Sequence, residues 1–231
     1  MRRAALAGGG AAAAAWSAPA LAAVCPPVAG ALGIQSHLPG DPDGVALTFD
    51  DGPHPEGTPA VLDCLARAGA TATFFLVGEQ VERHGSLAAE VAAAGHTVGV
   101  HAHRHRNLLR LTPLQLAADL DRAADVIAGA TGSPLRVHRP PYGVFSPLGL
   151  RMVRRRGWRP VLWSRWGRDW SARATARSIA DRLTRRLTAG DILLLHDADH
   201  YSAEGSWRRT VAALPRVLEA IERRGLRPAV P

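Results

Sequence analysis

The chain has 231 residues, 47% of them hydrophobic, which is enough to bury one full α/β core and too apolar for a disordered segment. Its formal charge is +8, yet it contains no lysine: all 28 basic residues are arginine, spread over several segments without an interleaved-aromatic recognition motif. That pattern is a compositional bias that argues against a nucleic-acid partner, and two cysteines, Cys25 and Cys64, cannot build a metal cage by themselves.

Met1-Arg2-Arg3 opens an uncharged stretch that runs to Gln35, and Ala20-Leu21-Ala22 has the small-residue form of an export cleavage site. Pro19, Pro26 and Pro27 interrupt its apolar region, so a cleaved signal, an uncleaved anchor and a helix packed on the domain all stay open. Residues 1–40 are accordingly read as signal peptide, anchor or extension, and residues 41–231 as one domain. The expected location is extracytoplasmic, secreted or tethered through this segment, with a cytoplasmic one left open, and a membrane enters only through such an anchor. Val24 before Cys25 argues against lipidation.

From Val45 onward short apolar runs alternate with helical patterns, as in βα units. The runs are Val45–Phe49, Thr71–Val77, Thr97–His101, Leu135–His138, Arg159–Trp163, Asp191–His196 and Leu226–Val230. Helices are predicted over Thr58–Ala68, Leu87–Ala94, Pro113–Ala128, Pro147–Arg156, Thr175–Ala189 and Trp207–Arg224. The third opens behind Thr112 as cap with proline in its first turn, and the others stop at or next to a glycine.

The polar residues fall at the carboxyl ends of these strands, where parallel α/β folds gather their ligands. Leu47-Thr48-Phe49-Asp50-Asp51-Gly52-Pro53 ends an apolar run at two adjacent carboxylates, which could serve one site as base and as ligand. Asp, Gly and Pro are also ordinary turn residues, so the pair alone proves little. In His101-Ala102-His103-Arg104-His105, a chain that begins to coil puts His101 and His105 on one side and turns His103 away. Two imidazoles with Asp51 suit a hydrolytic metal site with an open coordination position. Arg139, Asp169 and His196 follow or end later strands, the convergence expected of a barrel site.

Five motifs in this order resemble the polysaccharide deacetylase family, metal-dependent hydrolases that remove acetyl groups from amino sugars of chitin and peptidoglycan or from acetylated xylan. They are Thr48 to Pro53, His101 and His105 ahead of Asn107-Leu108, Arg139-Pro140-Pro141-Tyr142-Gly143, Asp169-Trp170, and Leu195-His196-Asp197. The resemblance spans roughly Val45–Val230 and implies a distorted parallel (β/α) barrel of about seven strands, TIM-barrel-like, as the catalytic domain. It implies that Asp51, His101 and His105 bind a divalent metal, zinc first, with cobalt, nickel, manganese or iron open. It implies Asp50 as general base held by Arg139, a Tyr142 backbone N–H for the oxyanion, and His196 as acid oriented by Asp169. Pro141, Tyr142 and Trp170 are expected to touch substrate; Trp163 and Trp166 are weighed between sugar stacking and packing. His54, His84, His96, His138 and His200 are read as structural or surface residues, the last with Asp199 near the mouth.

Two departures stand out: Ala102 where many members carry a hydroxyl residue, and Trp166 with Arg165 and Arg168 in an unusually basic loop. The expected partner is a carbohydrate polymer or oligosaccharide bearing N-acetylated amino sugars. An O-acetyl esterase on acetylated polysaccharide and a non-catalytic carbohydrate-binding protein are the alternatives. Oligomeric state leaves no trace in the sequence.

Overall fold

A computed structural model describes residues 19–231. The expected leader before residue 19 lies outside the described residues, and none of the described helices is long and apolar enough to cross a membrane.

The sheet is parallel throughout and curls into a partial barrel. Its strands are β1 (Gly44–Asp50), β2 (Thr73–Val77), β3 (Thr97–Ala102), β4 (Val137–His138), β5 (Arg159–Pro160), β6 (Arg165–Trp166), β7 (Ile192–His196) and β8 (Arg227–Ala229). They run in the order β5-β4-β3-β2-β1-β7-β6, with β8 beside the first residues of β1. β1 and β2 are buried along their whole length, as the near-continuous apolar runs of a sheet covered on both faces require. The register sets Asp50 of β1 beside His196 of β7, so the ends of the central strands bring these side chains together directly.

The helices α1 (Pro26–Ala31), α2 (Gly57–Arg67), α3 (Gly78–Arg83), α4 (Gly85–Ala93), α5 (Pro113–Thr131), α6 (Pro147–Arg155), α7 (Ala176–Thr184) and α8 (Ser206–Glu222) cover the sheet. α5 starts with a capping box, Thr112 and Gln115 each satisfying the other's backbone, and ends at Gly132 in the left-handed region.

Several predicted boundaries shift. The strands expected over Leu135–His138 and Arg159–Trp163 shrink to two residues each at the barrel's edge. The helix expected over Thr175–Ala189 ends at Thr184, and β6 and α3 had no counterpart in the prediction. β6 is too short to show a period, and α3 follows β2 without a turn, so neither carries a pattern that sequence reading detects.

The packed chain begins before residue 41. Ala29 and Ile34 are buried in the core, Gln35 bridges Val161 and His37 bridges Asp191. This segment therefore forms a seam from the open edge of β5, where Gln35 donates to the Pro160 carbonyl and accepts from the Leu162 N–H, to the residues before β7, where Leu38 donates to the Gly190 carbonyl.

Candidate active site

Asp51 is the first residue past β1, and its φ of 80° is a left-handed conformation that aspartate tolerates better than most residues. The strand pleat would aim Asp50 and Asp51 apart; with this backbone reversal both carboxylates line one cleft of about 280 Å3. Gly52 then passes against the buried Asp197, whose carboxylate occupies the space a Cβ would need. Thr58 donates to that carboxylate, and burial raises the Asp197 pKa to about 7 against this hydrogen bond. Asp197 thus ties the turn after β1 to the end of β7.

Asp51 Oδ1 faces His101 Nε2 at 3.4 Å and His105 Nε2 at 3.3 Å. The three donor atoms lie within 4.8 Å of one another, and Asp51 Oδ1 is buried with no hydrogen-bond partner among the described residues. An orphaned buried carboxylate oxygen between two imidazole nitrogens is costly unless a cation completes it, so the donor set fits a divalent metal. Burial would push the Asp51 pKa up, but the close approach of His101 and the fields of His196 and His105 hold it below the usual carboxylate range. Burial also pushes His105 down to about 4, against the pull of Asp51, which leaves the imidazole neutral and able to ligate near neutral pH. His103 points away, its ring packed over Gly78 and 3.9 Å from Glu82.

Arg139 is fully buried behind Asp50. It donates to Asp50 Oδ1 at 2.7 Å, to Thr48 Oγ1 at 2.7 Å and to the Leu162 carbonyl at 2.9 Å, and lies 4.2 Å from the Phe75 ring centre. Its backbone carbonyl is 2.8 Å from His101 Nδ1, so one residue braces both Asp50 and a candidate metal ligand. Burial lowers the Arg139 pKa, opposed by Asp50.

Across the cleft, Asp169 accepts from the His196 backbone N–H at 2.7 Å and pairs with its Nδ1 at 2.9 Å, while Thr210 donates to the same carboxylate at 2.7 Å. Burial would lower the His196 pKa; the Asp169 charge and hydrogen bond overcome this and hold the imidazole well above its ordinary value. Trp170 packs edge-on against His196 at 5.6 Å, then Trp166 against Trp170 at 5.5 Å and Trp163 against Trp166 at 5.8 Å. Trp163 is buried, yet its ring also lines the cleft.

Tyr142 sits at φ 60° in a short 3-10 turn, its side chain exposed at the rim. The turn's hydrogen bonds run from Gly143 to Pro140 and from Val144 to Pro141, which leaves the Tyr142 N–H outside them. Pro141, expected to touch substrate, is buried and does not line the cleft; its role is to stiffen the turn. Tyr201, which sequence reading missed, stacks on His105 at 4.3 Å. It stands in a loop with no motif spacing, and an aromatic four residues past Asp197 carries no signal of its own. His200 approaches the Pro53 carbonyl at 3.3 Å and Asp199 pairs with His54 at 3.2 Å, and neither lines the cleft. A larger hollow of about 880 Å3 beside α7 and α8 shares only Trp166 with this cleft and holds none of its carboxylates or histidines.

A polysaccharide deacetylase family model matches residues 37–161. The chain is 32% identical to a chitooligosaccharide deacetylase of Azorhizobium caulinodans over 201 residues, covering 84% of this chain and 95% of that one. It is 34% identical to a peptidoglycan-N-acetylglucosamine deacetylase of Bacillus cereus, covering 82% and 87%. Among solved structures, a peptidoglycan N-acetylglucosamine deacetylase superposes with a TM-score of 0.78 at 28% identity, over 84% of this chain and 88% of that one. A family 4 carbohydrate esterase of Streptomyces lividans, in complex with acetate, superposes with a TM-score of 0.73 at 30% identity, over 82% and 93%.

Proposed function

This chain belongs to the polysaccharide deacetylase family, and from that membership we propose how its residues divide the removal of N-acetyl groups from amino sugars. The observation that carries the reading is the convergence of Asp51 Oδ1, His101 Nε2 and His105 Nε2 on one side of a cleft whose other side presents His196 backed by Asp169.

When bound at Asp51, His101 and His105, a divalent cation polarises the acetyl carbonyl and lowers the pKa of a water toward neutrality. Asp50 lies at the cleft floor as the group that takes the proton of the attacking water, aimed by Arg139. The carbonyl oxygen gathers negative charge as the water adds, and the Tyr142 N–H is the donor placed for it. The C–N bond then breaks with the electron pair going to nitrogen, and His196 Nε2 gives that nitrogen a proton while Asp169 holds Nδ1. The products are acetate and a free amino sugar. Trp170 and Trp166 offer apolar faces for sugar rings beside the reacting centre.

Zinc is the proposed ion, since two imidazoles and a carboxylate leave it an open position; cobalt, nickel, manganese and iron share the donor set. The proposed substrates are chitin-type oligosaccharides or peptidoglycan, with an extracytoplasmic site of action reached through the N-terminal segment. An amide substrate suits a charged His196, because an amine leaving group needs a proton more than an alkoxide does.

The test is acetate release from N-acetylated chitooligosaccharides and from peptidoglycan by chelated protein, with and without added zinc or cobalt. Metal-dependent release is expected, and the preferred polymer identifies the substrate. No release under any metal, with metal bound, rejects the amide reading and leaves acetyl esters as the next substrates.

A further inference from the structure

The two histidines of the metal triad are held by different means. His101 has a hydrogen bond on its outer nitrogen, Nδ1, to the Arg139 carbonyl at 2.8 Å, the usual way to hold a ligating ring in one tautomer and one plane. The outer nitrogen of His105 is buried and has no hydrogen-bond partner among the described residues. On that outer side no polar contact holds the plane of the ring, and Asp51 meets only Nε2.

What confines the ring is aromatic packing. Tyr201 lies flat on it, centroids 4.3 Å apart and planes 10° from parallel, and Tyr142 meets it edge-on at 4.6 Å. Tyr142 is 60% exposed and has no side-chain bond of its own, so it is a weak brace. Tyr201 is tied down: its hydroxyl donates to Glu79 Oε1 at 2.7 Å and accepts from Gln80 Nε2 at 3.0 Å, both in α3. The Glu79 backbone N–H in turn donates to the His103 carbonyl at 2.9 Å, within the same segment that carries His105. α3 thus grips the histidine segment by its backbone and the stacking tyrosine by its hydroxyl.

We propose that Tyr201 is the positioning residue of His105, fixing by stacking the ring that no hydrogen bond fixes. The proposal rests on His105 being a metal ligand. The flat contact fixes the ring plane, in which Nε2 lies 3.3 Å from Asp51 Oδ1, and the Glu79–Gln80 clasp keeps the tyrosine from moving off with the loop that bears it.

Binding of cobalt(II) and zinc to the apo-protein, measured by chelator competition together with the visible absorption of the cobalt form, tests this in four proteins: wild type, Tyr201→Phe, Tyr201→Leu and Tyr201→Met. Loss of an outer support of a metal ligand typically weakens affinity about 10- to 100-fold, and that loss is expected for Leu and Met with a changed cobalt spectrum. Phe keeps the stacking ring but gives up the hydroxyl's ties to Glu79 and Gln80, so it is expected to lose less affinity than Leu or Met and to keep a cobalt spectrum nearer wild type. Met fills the tyrosine's space, so it reports even where Leu fails to fold. Wild-type affinity and spectrum in a folded Leu or Met variant overturn the proposal, as does a Phe variant that loses as much as Leu. Wild type that binds metal but releases no acetate fails the proposed reaction and leaves the Tyr201 comparison standing; wild type that binds no metal overturns both.

Discussion

Two buried ion pairs flank the cleft, and they are mounted in opposite senses. In Arg139–Asp50 the anion faces the cleft and the cation stands behind it; in Asp169–His196 the cation faces the cleft and the anion stands behind. Arg139 has donors only, so it holds Asp50 as an acceptor with the second oxygen free for a proton. Asp169 has acceptors, and it holds His196 with the proton on. In the proposed mechanism the same interaction therefore prepares a base on one side and an acid on the other, and the choice depends on which strand end carries which charge. The rear members are also braced by neutral groups, Thr48 and the Leu162 carbonyl for Arg139 and Thr210 for Asp169, so neither pair is left to one contact.

The largest effect is expected from silencing a front member. Asp50→Asn keeps the shape and still accepts from Arg139, yet cannot take a proton, so acetate release falls about 10²- to 10⁴-fold with metal binding retained. An unchanged rate would break the comparison at its first term. His196→Ala is expected to cost a comparable factor on an N-acetyl substrate and a smaller one on an acetyl ester. Equal losses on both would remove the argument that His196 serves the amine.

Removing a rear member acts on the fold as well. Arg139→Met strands Asp50 as an unpaired buried charge and leaves Thr48 and Leu162 without their donor. It is expected to destabilise the protein by about 3–5 kcal/mol, read from urea unfolding. Asp169→Asn removes the strongest of the influences that hold His196 above its ordinary pKa and leaves burial, which lowers it, opposed only by the weaker fields of Asp51 and Asp50. The alkaline limb of activity then moves to lower pH, seen in the pH profile of kcat. The raised pKa also means that His196 stabilises the fold below the unfolded value of 6.5 and that this contribution is lost as pH rises through the folded value; the variant lacks it. An unmoved limb would show that Asp169 orients the ring without setting its charge.

How much of this is legible in the sequence follows from where the groups sit. Asp50, Asp51, His101 and His196 end apolar runs, so their meeting follows from strand polarity alone, and the register of β1 with β7 adds the rest. Arg139 and Asp169 follow strand ends too, but that they stand behind the cleft depends on side-chain direction, which no spacing encodes. Tyr201 and α3 were invisible because their grip on His105 is made between loop and helix, 96 positions apart for Tyr201. The seam residues Gln35 and His37 were read with the leader because their pairing is with Val161 and Asp191, far along the chain, and two isolated bridges leave no alternation in sequence.

His138 shows what either pair would be without its partner. It is wholly buried one residue before Arg139, between Phe145 at 5.9 Å and Trp158 at 6.1 Å, and neither ring nitrogen has a hydrogen-bond partner among the described residues. Burial pushes its pKa down to about 3 from 6.5. The unfolded chain therefore binds a proton that the folded chain refuses, and stability is lost as pH falls from about 6.5 toward 3. At pH 5 the cost is about 2 kcal/mol, from roughly 1.4 kcal/mol per pH unit. His138→Leu, close in volume and apolar, is expected to lose that much less stability than wild type between pH 7.5 and pH 5 in parallel urea titrations, with acetate release unchanged. Equal pH slopes would mean that the buried ring finds a proton and a partner in the folded state, as His196 does, and the contrast between paired and unpaired buried charge would fail there.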